Sequence, residues 1–239
     1  MISYWESGKR APGLDDLVDL AEALERDVAY FLPRPDREPI RAVLRATAAQ
    51  LEHKDLDRAL EQLMDAAEAA SPPAAEISVS TSRPVRAAQE LLSQDGISRP
   101  PVDVEHIARR CGVTVVRGNF EDALSGAVIA LDHGAVIGVN SRHAAVRQRF
   151  SIGHELGHYL LGHHDRFHID LGSSAEHGHP PGYDWESERS ANDFAAELLM
   201  PTGLVHQAYE QEESTPRLAR MFEVSELAMG YRLLNLGLR

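Results

Sequence analysis

The stretch "RFSIGHELGHYLLGHH", residues 149–164, decides how the rest of the chain is interpreted. It contains His154, Glu155 and His158 in the pattern H-E-x-x-H. Residues four apart on a helix share one face, so the two imidazoles can reach one tetrahedral zinc ion. Glu155 lies off that face but close enough to act as a base on water at the metal. The stretch therefore predicts a helix that carries two metal ligands and a catalytic carboxylate.

The residues around the motif strengthen this interpretation. Ile152 and Leu156 project opposite the two histidines, which predicts a helix buried on more than one side. Histidines in such surroundings need polar partners, and a metal ion provides one. Gly153 and Gly157, four apart, form a small-residue groove that another element can approach closely.

A catalytic zinc site needs a third protein ligand, and the sequence offers three candidates. His164 stands where the metzincin pattern places a ligand, but that pattern also needs glycine where Leu161 stands. Histidines of the following loop, such as His168 or His177, are disfavoured because a polar loop usually faces solvent. The third candidate is a carboxylate on the next predicted helix.

Glu188 is the lone carboxylate on one face of the helix predicted for "ESERSANDFAAELLMP" (186–201). The rest of that face consists mainly of alanine and leucine: Ala191, Asn192, Ala195, Leu198 and Leu199. The opposite face is polar and is predicted to face solvent: Glu186, Ser190, Asp193 and Glu197. Burying an unpaired carboxylate is costly, and a neighbouring cation removes that cost. We therefore expect His154, His158 and Glu188 to form a His₂Glu site for one catalytic Zn²⁺, with Glu155 as the base.

The hydrophobic pattern predicts an α+β fold that is mostly helical. Residues 113–118 form one predicted strand, and "LSGAVIALDHGAVIGVN" (124–140) forms two strands joined by a hairpin turn. We expect a small antiparallel sheet of about three strands, packed on the H-E-x-x-H helix and on the Glu188 helix, with an all-α N-terminal segment. Residues 163–184 are predicted to form a loop. Two or three helices are predicted to end the chain, with Ser225 as an N-cap.

Composition argues against several classes of protein. The net charge of −13 argues against a nucleic-acid surface that covers the whole molecule. The chain has no run of about 18 apolar residues, so we expect no membrane span. Cys111 is the single cysteine, which excludes an intrachain disulfide and a cysteine-rich zinc site. We expect a cytoplasmic protein in which Cys111 is a small core residue.

Two linked motifs resemble those of the ImmA/IrrE family of metallopeptidases. The first is "RQRFSIGHELGHYLLGHH" (147–164). The second lies at 186–201, where E-x-x-A-N runs from Glu188 to Asn192 and L-L-M-P closes the helix. The resemblance covers roughly residues 84–235. It implies a zinc-dependent endopeptidase whose protein substrate is a repressor, and whose cleavage derepresses genes for stress responses or mobile-element transfer.

The N-terminal segment carries a second resemblance, to the lambda-repressor-type (XRE) helix-turn-helix. "ISYWESGKRAPGLDDLVDLAEAL" (2–24) is similar to a recognition helix and the helix that follows it. The helices that seat a recognition helix in the DNA groove would precede Ile2. We therefore expect Ser3, Lys9 and Arg10 not to bind DNA in the chain as it stands.

These features divide the chain into four predicted segments. They are a partial helix-turn-helix remnant (1–35), a helical connector (36–70), a linker (71–83) and a metallopeptidase domain (84–239).

Three functions remain open from the sequence. In the first, Glu155 moves protons during peptide hydrolysis, and Tyr159 or His163 is a candidate donor to the oxyanion. In the second, the chain is a DNA-binding regulator whose metallopeptidase-like domain senses a metal or ligand without proteolysis. In the third, it is a scaffold that binds a repressor without cutting it.

Overall fold

The computed structural model describes residues 72–79, 83–120, 124–131, 134–163, 167–170 and 184–238. The described helices are α1 (Pro84–Gln94), α2 (Val104–Arg110), α3 (Ala145–Leu161), α4 (Trp185–Leu199), α5 (Thr202–Tyr209), α6 (Thr215–Phe222) and α7 (Glu226–Asn235). The described strands are β1 (Val113–Gly118), β2 (Gly126–Leu131), β3 (Gly134–Asn140) and β4 (Phe167–Asp170). This mixture confirms the predicted α+β class. The N-terminal segments predicted for 1–35 and 36–70 lie outside the described residues.

The four strands form one sheet in the order β1-β3-β2-β4. β2 and β3 pair antiparallel, as the hairpin signal predicts. The sheet differs from the prediction in two respects. β1 pairs parallel to β3, and β4, which falls inside the predicted loop 163–184, pairs antiparallel to β2. A local hydrophobic pattern shows that a segment is a strand but not which strand it pairs with, so the parallel contact had no signal in the sequence.

Helix α3 lies against the sheet and contacts β2, β3 and β4. Ile152 and Leu156 are fully buried, as their position opposite the histidines predicts. They belong to one hydrophobic core with Val128 of β2 and Ile137 of β3. This packing presents the H-E-x-x-H residues between the sheet and helix α4.

The small-residue groove on α3 is confirmed, and α4 fills it. A Cβ atom added to Gly153 would lie 3.4 Å from Cβ of Ala195, and one added to Gly157 would lie 3.2 Å from Cα of Ala191. The missing side chains let the two helix backbones approach closely. This approach brings the first turn of α4, with Glu188, beside the H-E-x-x-H motif.

The ends of the helices follow from local chemistry. Helix α3 ends at Leu161, and Gly162 adopts the left-handed conformation with φ of 68°, where a side chain would be strained. Ser225 caps α7 as predicted, because its side chain accepts a hydrogen bond from the backbone N–H of Ala228 at 3.1 Å. Within the described part of the chain, no helix has both the length and the apolar composition of a bilayer span.

Glu197 of α4 does not face solvent, and that prediction was wrong. Its carboxylate is buried and forms an ion pair with Arg232 of α7. It also accepts hydrogen bonds from Gln89 Nε2 at 3.0 Å and from Thr202 Oγ1 at 2.7 Å. The helical pattern of α4 could not reveal this, because the partners lie on α1, α5 and α7. Asp193 and Glu186 are exposed, as predicted.

Candidate metal centre

His154 and His158 of α3 and Glu188 of α4 meet at one point. The two Nε2 atoms lie 3.0 Å apart. Glu188 Oε2 is 3.3 Å from His154 Nε2, and Glu188 Oε1 is 3.5 Å from His158 Nε2. The structure therefore brings together the three residues that the sequence selects as ligands.

The distances between these donor atoms suit a zinc ion. Ligand atoms at the corners of a tetrahedron, each roughly 2.0–2.1 Å from zinc, lie about 3.3 Å from one another. The observed separations of 3.0, 3.3 and 3.5 Å lie around this value. Two imidazole nitrogens and one carboxylate also form the donor set of many catalytic zinc sites. The residues present thus fit the metal that the motif implies.

The second nitrogen of each ligand histidine is held by a neighbour. His154 Nδ1 lies 3.1 Å from the amide oxygen of Asn192. Since an amide oxygen only accepts, His154 carries its hydrogen on Nδ1 and directs the lone pair of Nε2 towards Glu188. His158 Nδ1 lies 3.2 Å from Nδ1 of His163. Both rings are therefore oriented with Nε2 towards the centre.

The pKa values of His158 and Glu188 are shifted in the direction that suits a metal. Burial, with a smaller contribution from the nearby His168 and His154, lowers the pKa of His158 to about 3, although Glu188 opposes this shift. Burial alone would raise the pKa of Glu188, but the surrounding imidazoles of His154, His158 and His168 outweigh burial and hold that pKa well below its usual value. A neutral imidazole and an ionised carboxylate are the forms that bind a metal. Burial alone would lower the pKa of His154, but Glu188, Glu155 and Asp170 outweigh burial and raise that pKa.

Glu155 is completely buried beside the ligands, with its two carboxylate oxygens in different surroundings. Oε2 lies 3.0 Å from His168 Nδ1, whereas Oε1 has no hydrogen-bond partner among the described residues. Oε1 packs against Gly126 of β2, where an added Cβ would lie 3.3 Å away. Burial raises the pKa of Glu155, and His168 only partly opposes this shift. A carboxylate with a raised pKa suits a group that must take up and release a proton near neutral pH.

His168 lies in this site, although the sequence disfavoured it as part of a solvent-facing loop. It is on β4, is 9% exposed, and its ring stacks on that of His158 with centroids 3.7 Å apart. Its Nε2 is 2.9 Å from Glu188 Oε1. Together with His154, His158 and Glu188 it forms a group that could hold a metal ion. The alternation of "FHID" (167–170) was the one local signal for this strand.

The other candidate ligands and the candidate oxyanion donors are not all found at this centre. Asp170 of β4, which the sequence did not suggest, forms a second possible metal-binding group with His154 and Glu155. Tyr159 packs against the hydrophobic core, whereas His163 lies at the site beside His158. The alternative ligands His164 and His177 lie outside the described residues.

A family model described as the IrrE N-terminal-like domain (peptidase M78) matches residues 108–234. The chain belongs to this family. The match contains both the H-E-x-x-H helix and the Glu188 helix, so the family assignment and the site geometry concern the same residues. The resemblance of the two linked motifs to the ImmA/IrrE family is thereby confirmed.

A solved structure described as a Mycobacterium tuberculosis transcriptional regulator is similar to this IrrE-type chain. The two are 22% identical, with a TM-score of 0.45 over 63% of this chain and 46% of that one. This chain therefore spans less than half the length of the solved structure. No curated protein matches the chain significantly.

Proposed function

We propose that the chain is a zinc-dependent endopeptidase in which His154, His158 and Glu188 bind the metal and Glu155 is the general base. One observation carries this proposal. Three donor atoms of the correct types converge at 3.0 to 3.5 Å, beside a buried carboxylate that keeps one oxygen without a partner in the described part of the chain. Membership in the IrrE N-terminal-like family supports it.

When bound, zinc supplies Lewis-acid activation of water and of the scissile carbonyl. Glu155 takes a proton from the water as the water oxygen bonds to the carbonyl carbon. Glu155 then transfers this proton to the peptide nitrogen as the carbon–nitrogen bond breaks, so that the nitrogen leaves as a neutral amine. Asn192 and His163 hold the imidazole rings of His154 and His158 in place throughout.

We further propose that the substrate is a transcriptional repressor in the cytoplasm, and that its cleavage regulates a stress response or a mobile element. The resemblance to the ImmA/IrrE metallopeptidases supports this choice. A peptidase that acts on one repressor needs no DNA-binding surface of its own, which agrees with the net charge of −13.

The test uses the full chain loaded with one equivalent of Zn²⁺ and the repressor encoded beside its gene. The wild-type protein should cleave the repressor at one bond. Glu155→Gln should retain the zinc but cleave at least about 100-fold more slowly, because proton transfer by a side chain contributes about that much. Glu186→Gln, an exposed change on α4, is the matched control and should cleave normally.

Two results would overturn the proposal. The first is cleavage by Glu155→Gln at the wild-type rate. The second is a wild-type protein that binds zinc and regulates the repressor's target gene without cutting the repressor. Salt-dependent DNA binding in that case would establish a non-proteolytic regulator, and binding to the intact repressor alone would establish a scaffold.

A further inference from the structure

His168 has no part in the mechanism described above, yet it contacts most of the candidate centre. Its Nδ1 lies 3.0 Å from Glu155 Oε2, and its Nε2 lies 2.9 Å from Glu188 Oε1. Its ring also stacks on His158. One imidazole therefore connects the candidate base to the candidate carboxylate ligand.

The geometry is that of a hydrogen-bonding bridge rather than of a further metal ligand. A histidine binds a metal along a nitrogen lone pair, which lies in the plane of its ring. The rings of His158 and His168 have an interplanar angle of 24° with centroids 3.7 Å apart. The two ring planes are therefore nearly parallel, and the nitrogen lone pairs that lie in them do not point at one nearby ion. Both nitrogens of His168 are instead at hydrogen-bond distance from carboxylate oxygens.

The pairing of the strand that carries His168 sets the face of the sheet on which His168 lies. β4 pairs antiparallel to β2, with His168 opposite Val128 and Asp170 opposite Gly126. Directly opposed residues in a sheet point to the same face. Gly126 is also the residue against which Glu155 packs. The same pair of strands thus fixes both the imidazole and the carboxylate that it contacts.

We propose that His168 is a positioning residue. Its two ring nitrogens hold the base Glu155 and the metal ligand Glu188 in fixed positions relative to each other. The inference rests on the proposed function, since it assigns His168 a role toward that metal centre. The two contacts have separable consequences. The Nδ1 contact orients the base and affects kcat, whereas the Nε2 contact orients the ligand and affects zinc affinity.

Three substitutions separate these contacts. His168→Phe keeps the stacked ring and removes both nitrogens. His168→Asn keeps an N–H donor close to the position of Nδ1, and His168→Gln keeps one close to the position of Nε2. For each variant, zinc affinity is measured by competition with a chromophoric chelator, and the metal geometry is measured from the visible spectrum of the Co²⁺ form. The kcat is measured for cleavage of the repressor.

We expect His168→Phe to weaken zinc binding and to lower kcat by about 10- to 100-fold each, as is typical when a residue that orients a metal ligand is lost. His168→Gln should restore most of the zinc affinity, and His168→Asn should restore most of kcat. The Co²⁺ spectrum should keep the shape and intensity of the wild-type spectrum in all three variants.

Two outcomes would overturn the positioning role. If His168→Phe has the zinc affinity and the kcat of wild type, the two contacts of His168 do not position Glu155 or Glu188. If it loses zinc by more than about 1,000-fold and the Co²⁺ spectrum changes, His168 is a ligand. Val128→Ala is the control for general destabilisation, because it removes buried volume opposite His168 without removing a polar atom. The zinc titration of the wild-type chain is done first. If the wild-type chain binds no zinc, the proposed function itself is wrong.

Discussion

His154 Nδ1 lies 3.1 Å from Asn192 Oδ1, and this contact joins the H-E-x-x-H helix to the second motif of the chain. The motif E-x-x-A-N thereby has a physical explanation. Glu188 places a carboxylate beside His154 and His158, Ala191 lets the helices approach, and Asn192, one turn after Glu188, contacts the His154 ring on the neighbouring helix. The two motifs meet in the fold although 29 residues separate His158 from Glu188.

Replacing Asn192 should therefore weaken zinc binding without removing a ligand. We expect Asn192→Leu to lower zinc affinity by about tenfold, the lower end of such effects, because Asn192 is itself exposed. Asn192→Asp should bind zinc as well as wild type, since it keeps an acceptor for His154 Nδ1. Competition with a chelator measures both affinities. An Asn192→Leu protein that binds zinc with wild-type affinity would show that this contact does not orient His154.

The contact between α3 and α4 predicts different effects for two similar substitutions. A Cβ on Gly157 would lie 3.0 Å from Phe194 Cδ1 and 3.2 Å from Ala191 Cα, whereas a Cβ on Gly153 would find ordinary contacts from 3.4 Å outwards. Both changes to alanine gain the same helix propensity. We therefore expect Gly157→Ala to be less stable than Gly153→Ala by about 1–3 kcal/mol in urea unfolding. Equal stabilities would contradict the close approach.

Much of this site could be predicted because its residues share short helical patterns. The H-E-x-x-H spacing places two imidazoles on one face, and Gly153 and Gly157 mark the groove for α4. Glu188 stands out as a lone carboxylate among alanine and leucine. These signals are local, so each can be found within a single helix of the sequence.

The buried ion pair between Glu197 and Arg232 gives a prediction about stability. Glu197→Leu should lower the free energy of unfolding by about 3–5 kcal/mol, because Arg232 is left buried without a counter-charge. The double variant with Arg232→Met should recover part of this loss, since no unpaired charge remains. Asp193→Leu, an exposed change on the same helix, should alter stability by less than about 0.5 kcal/mol. A single variant as stable as wild type would show that the pair is dispensable.

The features that the sequence did not reveal depend on contacts between distant parts of the chain. His168 and Glu197 are polar residues whose burial depends on partners on other elements, Glu155 and Arg232 respectively. The strand β4 is only four residues long and is defined by its pairing with β2. Surrounded by histidine, glycine and proline, it carries too little hydrophobic pattern to be separated from a loop.

The burial of Cys111 predicts how its reaction rate with a thiol reagent depends on pH. Its side chain is buried, and burial raises the pKa of the thiol to about 12. A raised pKa means that roughly one thiol in 10,000 is ionised at pH 8, so the native protein should react with a thiol reagent far more slowly than the unfolded chain. The native rate should still rise with each pH unit at pH 10. A rate that levels off near pH 8.5 would contradict the burial of this thiol.

Anomalous diffraction from crystals of the zinc-loaded protein would show which side chains hold the metal. We expect one zinc ion within coordination distance of His154 Nε2, His158 Nε2 and the Glu188 carboxylate, with Glu155 beside it but not bound to it. An ion coordinated by His164 in place of Glu188, or a peak away from these three residues, would contradict this expectation.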